Sequence, residues 1–308
     1  MAIPKNFSED IPALETQRSV IRVPWLTQIL KAFRQDPRWW FAIVLLVFIL
    51  AAIFAPFISP YPPLQYHPSV ATQGPSAAHL LGTDALGRDQ LSRIIYGARL
   101  SLSVGVATIL LGSLCGIVLG IMAAYFKGWV DQLVTMFIDA ILSFPGILLA
   151  LAIAAALGPS IINLVIALAV GRIPLYARIA RGQALQAATF DYVTAASVCG
   201  TPTWKILFRH ILPNIFSPLL VQATLSISFA ILDESALSFL GLGAQPPTPE
   251  WGSMINDAQT YLNTDPWMLL APALAIVIVV LSLNLLGDAV RDRLDPRDQA
   301  RVTGAIQK

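Results

Sequence analysis

The stretch LSLSVGVATILLGSLCGIVLGIMAAYF, residues 100–126, contains no charged side chain and is long enough to cross a bilayer. The hydrocarbon core of a membrane is about 30 Å thick, a distance that a helix covers with roughly 20 residues. We expect a helix because lipid cannot pair with free backbone N–H and C=O groups. Gly112, Gly116 and Gly120 recur every four residues and therefore share one helix face. This spacing predicts close packing against a second helix.

Apolar runs of this kind continue along the whole chain, which has 308 residues. Of these residues 56% are hydrophobic and only 12% are charged, whereas about a quarter of an ordinary soluble domain is charged. The composition therefore indicates a polytopic membrane protein. We predict an all-α membrane protein with six transmembrane helices. The predicted spans are residues 39–58, 100–126, 130–157, 160–177, a segment within 213–242, and 267–286.

The placement of basic residues predicts the orientation, because lysine and arginine accumulate on the cytoplasmic side of membrane proteins. They cluster before the first span, between the fourth and fifth spans and in the tail, and none occurs between His210 and Ala289. We therefore expect a cytoplasmic N-terminal segment 1–38, a transmembrane domain 39–290 and a cytoplasmic tail 291–308. Outer loops are expected at about 60–99 and 243–266, and a cytoplasmic connection at about 178–212. Arg88, Arg93 and Arg99 on the outer side are an exception to this rule.

The sequence lacks the common nucleotide-binding and catalytic motifs. No Gly-Lys pair occurs, which excludes a P-loop, and neither H-E-x-x-H nor G-x-S-x-G is present. We therefore expect that this chain binds no cofactor, metal or nucleic acid, and that it is not itself an enzyme.

Acidic side chains inside apolar spans are costly and usually face a cavity or a partner. Asp139, Asp233 and Glu234 are such residues, and we consider them candidates for lining a solute path. Two alternatives remain open at this point. In an intramembrane protease Asp139 would pair with Asp233 or Asp288, although no paired catalytic motif supports this. A stand-alone channel would need no partner subunit.

The predicted cytoplasmic connection contains TAASVCGTPTWKILFRHILPN, residues 194–214. Residues 191–199 favour a short helix, and Gly200 allows the backbone to turn after it. A second helix over 204–212 would separate an apolar face from a basic one. The apolar face comprises Trp204, Leu207, Phe208, Ile211 and Leu212, and the basic face Lys205, Arg209 and His210. We predict a helix–turn–helix that a cytoplasmic partner contacts; a helix lying on lipid is the alternative.

The patterns T-A-A-x-x-x-G and H-I-L-P-N in this connection resemble the cytoplasmic EAA loop of the inner-membrane permeases of binding-protein-dependent ABC importers. The resemblance implies the type I ABC importer permease fold, in which this loop is the coupling helix that contacts ATPase subunits. Thr194 stands where that family usually has Glu, so any charge-assisted contact to the partner is expected to be weaker. Asp191, one turn earlier, is a candidate substitute. The ATPase-coupling residues that the resemblance implies are Asp191, Thr194, Ala195, Ala196, Gly200, Thr201, Pro202, Ile211 and Pro213.

A second set of motifs resembles the dipeptide, oligopeptide and nickel branch of these permeases. The stretch LGTDALGRDQLSRIIYGARLSL, residues 81–102, is similar to the outer segment of that branch. SFPGILLAL at 143–151, ARIARGQ at 177–183 and LSFLGLG at 237–243 are similar to it as well. The outer-loop motif consists of Gly82, Thr83, Asp84, Gly87, Arg88 and Asp89.

The resemblance implies a multi-pass subunit of a bacterial-type inner membrane with both termini in the cytoplasm. Its implied partners are membrane lipid, a second permease subunit, two ATP-binding subunits that hold ATP and Mg²⁺, and an extracytoplasmic solute-binding protein. This chain would form half of a translocation path for peptides or related small solutes. Dipeptides, longer peptides, nickel chelates and glutathione-like compounds all stay open as the solute.

Overall fold

The computed structural model describes residues 36–294. The chain divides into two units, Met1–Pro37 and Arg38–Lys308, and everything below concerns the second unit. Most of the predicted N-terminal segment 1–38 and of the tail 291–308, with most of their basic residues, lies outside the described residues. Within 36–294 the chain forms helices and turns, with one isolated bridge between Thr83 and Asp89 and no strand. The predicted all-α class is therefore confirmed.

Nine helices organise the described part of the chain. They are α1 (Trp40–Ile53), α2 (Gln90–Phe126), α3 (Gly128–Leu142), α4 (Gly146–Leu157), α5 (Ile161–Ala187), α6 (Asp191–Val198), α7 (Leu212–Phe239), α8 (Trp251–Ala258) and α9 (Trp267–Leu294). Shorter helical turns lie at Ala55–Ile58, Pro68–Val70 and Gln259–Tyr261. Two further turns, Thr203–Lys205 and the π-helical Ile206–Ile211, lead into α7 without a break.

Four helical segments in this region are long and apolar enough to cross a membrane: Gln90–Phe126, Ile161–Ala187, Thr203–Phe239 and Trp267–Asp292. The pair α3 and α4 makes a fifth span if it is counted as one bent segment. The first predicted span contains α1, which is shorter than these. The exact count of six transmembrane helices therefore stays a prediction.

The predicted span 130–157 consists of two helices, α3 and α4, which meet at an angle of 88°. Pro145 stands at the break and precedes α4 in an extended conformation, with ψ 127°. Proline has no N–H to donate and disfavours a helical residue before it. Pro174, Pro218 and Pro272 lie inside continuous helices instead. Of these four prolines, only Pro145 stands where one helix ends and another begins.

The three glycines of α2 pack directly on the backbone of α5. A Cβ atom on Gly112 would lie 2.9 Å from a carbonyl oxygen of α5, and a Cβ atom on Gly116 would lie 2.6 Å from the next. Such distances leave no room for a larger side chain. The carbonyls that face Gly112, Gly116 and Gly120 belong to Ala169, Ile173 and Ala177. The predicted close helix contact is confirmed. Because the facing residue numbers rise together along the two helices, α2 and α5 run parallel to each other.

The helix ends define two ends of the bundle. The motif end carries residues 82–89 and α8, and the connection end carries residues 188–211. α7 runs antiparallel to α2, because Ser101 of α2 contacts Glu234 of α7 whereas Gly105, farther along α2, faces Ile231. α2 already begins at Gln90 and α5 continues to Ala187, so both helices extend into the ranges predicted as loops. The loop ranges about 60–99, 178–212 and 243–266 stay predictions.

Candidate functional site

The connection, residues 188–211, turns at Gly200 as the sequence predicts. Gly200 has φ +74°, a left-handed conformation that glycine adopts without steric cost. The Thr201 N–H donates to the Ala196 carbonyl, and the Gly200 N–H donates to the Ser197 carbonyl, both at 3.0 Å. These two bonds form a Schellman motif, which satisfies the last carbonyls of α6. The short helix therefore ends in a defined geometry.

Buried aliphatic side chains attach the connection to the bundle. Val193, Ile206 and Ile211 are buried in one cluster with residues of α2 and α5. Trp204 and Phe208 point outward and are 60% and 62% exposed. The predicted apolar face of a separate helix 204–212 is therefore wrong. The π-helical turn shifts the register, so that Ile206 is buried in place of Trp204, and the segment continues into α7.

The residues predicted to contact ATPase subunits mostly lie on the surface of the connection. Thr194 donates only weakly to the Phe190 carbonyl, at 3.5 Å. Val198, beside the turn, is 84% exposed and is a further apolar surface residue that the sequence pattern did not single out. Ile211 is the one implied residue that is buried. The exposed members are Asp191, Thr194, Ala195, Gly200, Pro202 and Pro213, and the partly exposed ones are Ala196 and Thr201.

The outer-loop motif forms a tight turn that satisfies its own polar groups. One carboxylate oxygen of Asp84 accepts hydrogen bonds from the N–H groups of Leu86 and Arg88, each at 2.9 Å. Its other oxygen accepts from the Arg88 guanidinium at 2.5 Å and lies 3.5 Å from Arg93 Nε. Gly82 and Gly87 take φ +77° and +74°. The motif is thus a structural element whose charged side chains are paired.

Asp89 joins this turn to α2 as the N-cap of the helix. Its Oδ2 accepts from the Ser92 N–H at 2.8 Å and the Ser92 hydroxyl at 2.7 Å, and its Oδ1 lies 2.9 Å from His79 Nδ1. Thr83 is completely buried, and its hydroxyl donates to the Val70 carbonyl. All four polar residues of the motif are therefore used in local structure.

A concave region of about 580 Å³ opens at the motif end. Tyr66, Arg88, Asp257 and Tyr261 are among the residues that line it. Burial raises the pKa of Asp257 above its usual range, although the charges of Arg93 and Arg88 oppose this shift. The region therefore offers aromatic rings and charges of both signs.

The predicted path residues Asp139 and Asp233 each pair with an arginine of α5. Asp139 lies 2.7 Å from Arg178, and Asp233 lies 2.5 Å from Arg172. Asp131 of α3, which the sequence reading did not single out, forms two bonds of 2.6 and 2.7 Å with Arg181. The arginines were missed as partners because Arg178 and Arg181 were assigned to a connection and the acids lie far away in sequence.

The Glu234 side chain is buried in the protein and does not reach its surface. It is 1% exposed and accepts from the Ser235 hydroxyl at 3.1 Å, with Ser101 at 3.5 Å. Glu250, also buried, caps α8 by accepting from the Gly252 and Ser253 N–H groups at 2.6 and 2.9 Å. These contacts place Glu234 in the packing between α2, α7 and α8.

Over residues 36–294 no group of three or more His, Cys, Asp or Glu side chains is arranged to hold a metal ion. The two cysteines, Cys115 and Cys199, are free thiols. The geometry of this region thus offers paired charges, an exposed connection and a structured motif end.

Known proteins resemble this chain in sequence over nearly its whole length. It is 43% identical to the dipeptide transport system permease protein DppC of Alkalihalophilus pseudofirmus, over 93% of this chain and 94% of that protein. It is 41% identical to the glutathione transport system permease protein GsiD of Pectobacterium atrosepticum, over 90% and 92% of the two chains.

A solved structure of the MetNI methionine ABC transporter in inward-facing conformations is similar in fold. The TM-score is 0.54 at 16% identity, and the match covers 67% of this chain and 97% of that chain. This likeness bears out the expected fold of an ABC importer permease.

Two family models match the sequence. The N-terminal transmembrane domain of oligopeptide transport permease C matches residues 24–75. The binding-protein-dependent transport system inner membrane component matches residues 116–298, more than half of the chain. The protein therefore belongs to the family of binding-protein-dependent transport system inner membrane components.

Proposed function

We propose that this chain is the permease subunit of an ATP-driven ABC importer and forms half of the path for peptides or related small solutes. The main support is sequence identity. Over nine tenths of its length the chain is 41–43% identical to permeases named for dipeptide and glutathione transport. A second permease subunit would supply the other half of the path. ATP and Mg²⁺ would bind to two partner ATPase subunits, so this chain performs no hydrolysis itself.

The exposed surface of the connection supports its role as the coupling element. Val198, Trp204 and Phe208 present large apolar side chains around the turn at Gly200. Single exposed apolar residues are common, but a cluster on a defined turn is typical of a contact surface. Val193 and Ile211 fix the same segment to α2 and α5. A push on the connection by an ATPase subunit would therefore reach the membrane helices, which is the basis of alternating access.

The two surface aspartates support a polar path rather than a protease. Asp139 and Asp233 reach the surface of the chain, and each contacts an arginine instead of a second carboxyl group. A protease of the aspartyl type needs two carboxyl groups that share a proton. Glu234, which is buried, we assign to the docking of α8 on α7.

We propose that the connection end faces the cytoplasm and the motif end faces the extracytoplasmic solute-binding protein. The basic residues near the connection support this orientation under the positive-inside rule. The concave region beside Tyr66, Arg88 and Asp257 supports the motif end as the docking place of the binding protein. The termini would then both lie in the cytoplasm.

The proposal is tested by affinity purification of the tagged chain from native membranes, followed by mass spectrometry. The wild-type chain should retain a P-loop ATPase and a second permease. The double variant Ala195→Arg/Ala196→Arg should insert normally and lose the ATPase, because the bulky charges stand on the contact surface. Gly200→Pro should act in the same way, since proline cannot adopt φ +74°.

Gln259→Arg is the matched control, because Gln259 is exposed at the opposite end of the bundle. It should retain the ATPase as the wild-type chain does. Purification of a well-folded wild-type chain without any ATPase, in repeated preparations, would contradict the importer assignment.

A further inference from the structure

α3 carries a polar stripe along a helix that hardly packs on its own chain. Only Ile138 of its 15 residues is buried. Asp131, Thr135 and Asp139 follow each other at intervals of four, so they share one face, and Gln132 lies beside them. The opposite face, which includes Leu133, is apolar and half exposed. The helix therefore has one face suited to lipid and one that is not.

Two arginines of α5 complete the polar side of this surface. Arg178 contacts Asp139 at 2.7 Å, and Arg181 contacts Asp131 at 2.6 Å. These groups remain open to the surroundings, since the side chains of Arg178 and Asp139 are 60% and 57% exposed. A groove of about 710 Å³ lies beside them, lined by the α3 stripe, Met136, Ala140 and Arg181. Arg178 reaches its edge through the contact with Asp139. We call it the α3–α5 groove.

The α3–α5 groove lies beside the apolar part of α2. Gly116 and Gly120 of α2 stand level with residues 173–181 of α5, and both glycines belong to the uncharged stretch 100–126. The exposed pair of Arg178 and Asp139 is therefore adjacent to a segment that is long and apolar enough to cross the hydrocarbon core. Ionised side chains in that layer face water or protein partners and not lipid.

We propose that the α3–α5 groove is part of the solute path and holds the charged ends of a zwitterionic solute. This inference rests on the proposed function and adds the place and the chemistry of recognition. A free peptide carries one ammonium and one carboxylate. The groove presents Asp131 and Asp139 to the first and Arg178 and Arg181 to the second, and the half-exposed pair Arg178–Asp139 has room to exchange partners.

The mixed charge of the groove favours a small solute over a permanent contact with the second permease. A buried interface disfavours charges that are not fully paired, whereas Asp139 and Arg178 make one bond of 2.7 Å and leave their other polar atoms open. A path must also release its solute, and exposed charge pairs bind weakly enough for that. The second permease as the occupant is the competing outcome of the test below.

The test is the accessibility of introduced cysteines in the complete transporter, reconstituted in nanodiscs. The background carries Cys115→Ala and Cys199→Ser, and its ATP-dependent uptake of a dipeptide is measured first. Failure at this step would contradict the proposed function, independently of the groove. Thr135→Cys then places a thiol on the polar stripe, and Leu133→Cys places the matched control on the opposite face of α3.

We expect a cationic, membrane-impermeant methanethiosulfonate reagent to modify the Thr135→Cys variant at least about tenfold faster than the Leu133→Cys variant, because thiol reactivity follows exposure to water. The transported dipeptide should slow this modification, whereas its N-acetylated and amidated analogue should not. Asp139→Asn/Arg178→Gln in the Thr135→Cys background should remove the protection by the dipeptide.

Three results would overturn the proposal. In the first, the reagent modifies the thiol of the Thr135→Cys variant in the isolated chain but in no nucleotide state of the assembled transporter. This result would mean that the second permease covers this face of α3. Equal reactivity of the Thr135→Cys and Leu133→Cys variants would show that water reaches the polar stripe no more than the opposite face of α3. If the dipeptide still protects the thiol after Asp139 and Arg178 are neutralised, the groove does not bind the charged ends of the solute.

Discussion

The motif end and the connection each turn at a glycine with φ +74°, and the two turns have opposite surroundings. At Gly87 a Cβ atom would collide with the backbone carbonyl of His67, whereas at Gly200 nothing lies within 4 Å. Asp84 beside the first glycine is 3% exposed and paired with Arg88, whereas Val198 beside the second is 84% exposed. We call the turn at Gly87, which packs against its own chain, the closed turn, and the exposed turn at Gly200 the open turn.

This difference separates what the two motifs do. The polar groups of residues 82–89 are satisfied within the chain, so the motif supports the start of α2 and the shape of the motif end. The connection has a defined backbone but leaves most of its side chains exposed. A residue pattern that is distinctive in sequence therefore indicates architecture in one place and, under the proposed function, a contact surface in the other.

The largest effect should come from removing the buried carboxylate of the closed turn. Asp84→Ala removes the carboxylate that pairs with Arg88 and the nearest counter-charge of Arg93. Breaking a buried ion pair costs about 3–5 kcal/mol of folding free energy. Asp191→Ala, in the open region, removes an exposed charge at a helix start, for which about 0.5 kcal/mol is expected. Thermal unfolding of the purified chain in detergent, followed by tryptophan fluorescence, compares the two. Similar unfolding temperatures would contradict the distinction.

The two glycines allow a sharper comparison, because their φ angles are equal. Gly200→Ala should cost about 1–2 kcal/mol, the strain of a left-handed alanine. Gly87→Ala has the same strain and in addition forces its Cβ against the His67 carbonyl. We expect it to cost a further amount of about 1–3 kcal/mol.

The same unfolding assay measures this pair, and retention of the ATPase should follow the opposite order. Gly200→Ala changes the open turn, which we propose contacts the ATPase, and Gly87→Ala changes only the far end of the bundle. Equal destabilisation by the two alanines would mean that the closed turn relaxes around the new methyl group.

Local patterns in the sequence predicted the parts of this fold that depend on local rules. The four-residue spacing of Gly112, Gly116 and Gly120 predicted the contact with α5 because any close helix needs small residues there. Gly200 predicted a turn because few other residues adopt its φ angle. The apolar runs predicted membrane helices for the same kind of reason.

The features that sequence reading missed depend on contacts between distant residues. Pro145 ends a helix whereas Pro174 does not, and both stand in apolar runs. Arg178 was placed in a loop because a charge in isolation indicates water, but it stays helical and pairs with Asp139, 39 residues away. The π-helical turn that exposes Phe208 has no signal in a periodicity of 3.6 residues.

The smallest effect concerns Thr194, where the resemblance to the EAA loop implies a Glu. Thr194 is exposed near the start of α6, and its hydroxyl bond to Phe190 is weak, so Thr194→Glu should leave the fold intact. If the new carboxylate meets a donor on the ATPase, a charge-assisted bond of about 1.5 kcal/mol should slow dissociation roughly tenfold. Dissociation of the labelled ATPase from nanodisc-bound permease measures this effect.

Thr194→Gln is the matched control for that prediction, because it has the shape of Glu without the charge. Asp191→Ala decides whether the acid one turn earlier already supplies the contact. If it does, Thr194→Glu should strengthen retention of the ATPase only in the Asp191→Ala background, because one donor cannot gain from both acids in full. Equal retention by the Glu and Gln variants in both backgrounds would mean that the open turn binds its partner through its apolar side chains alone.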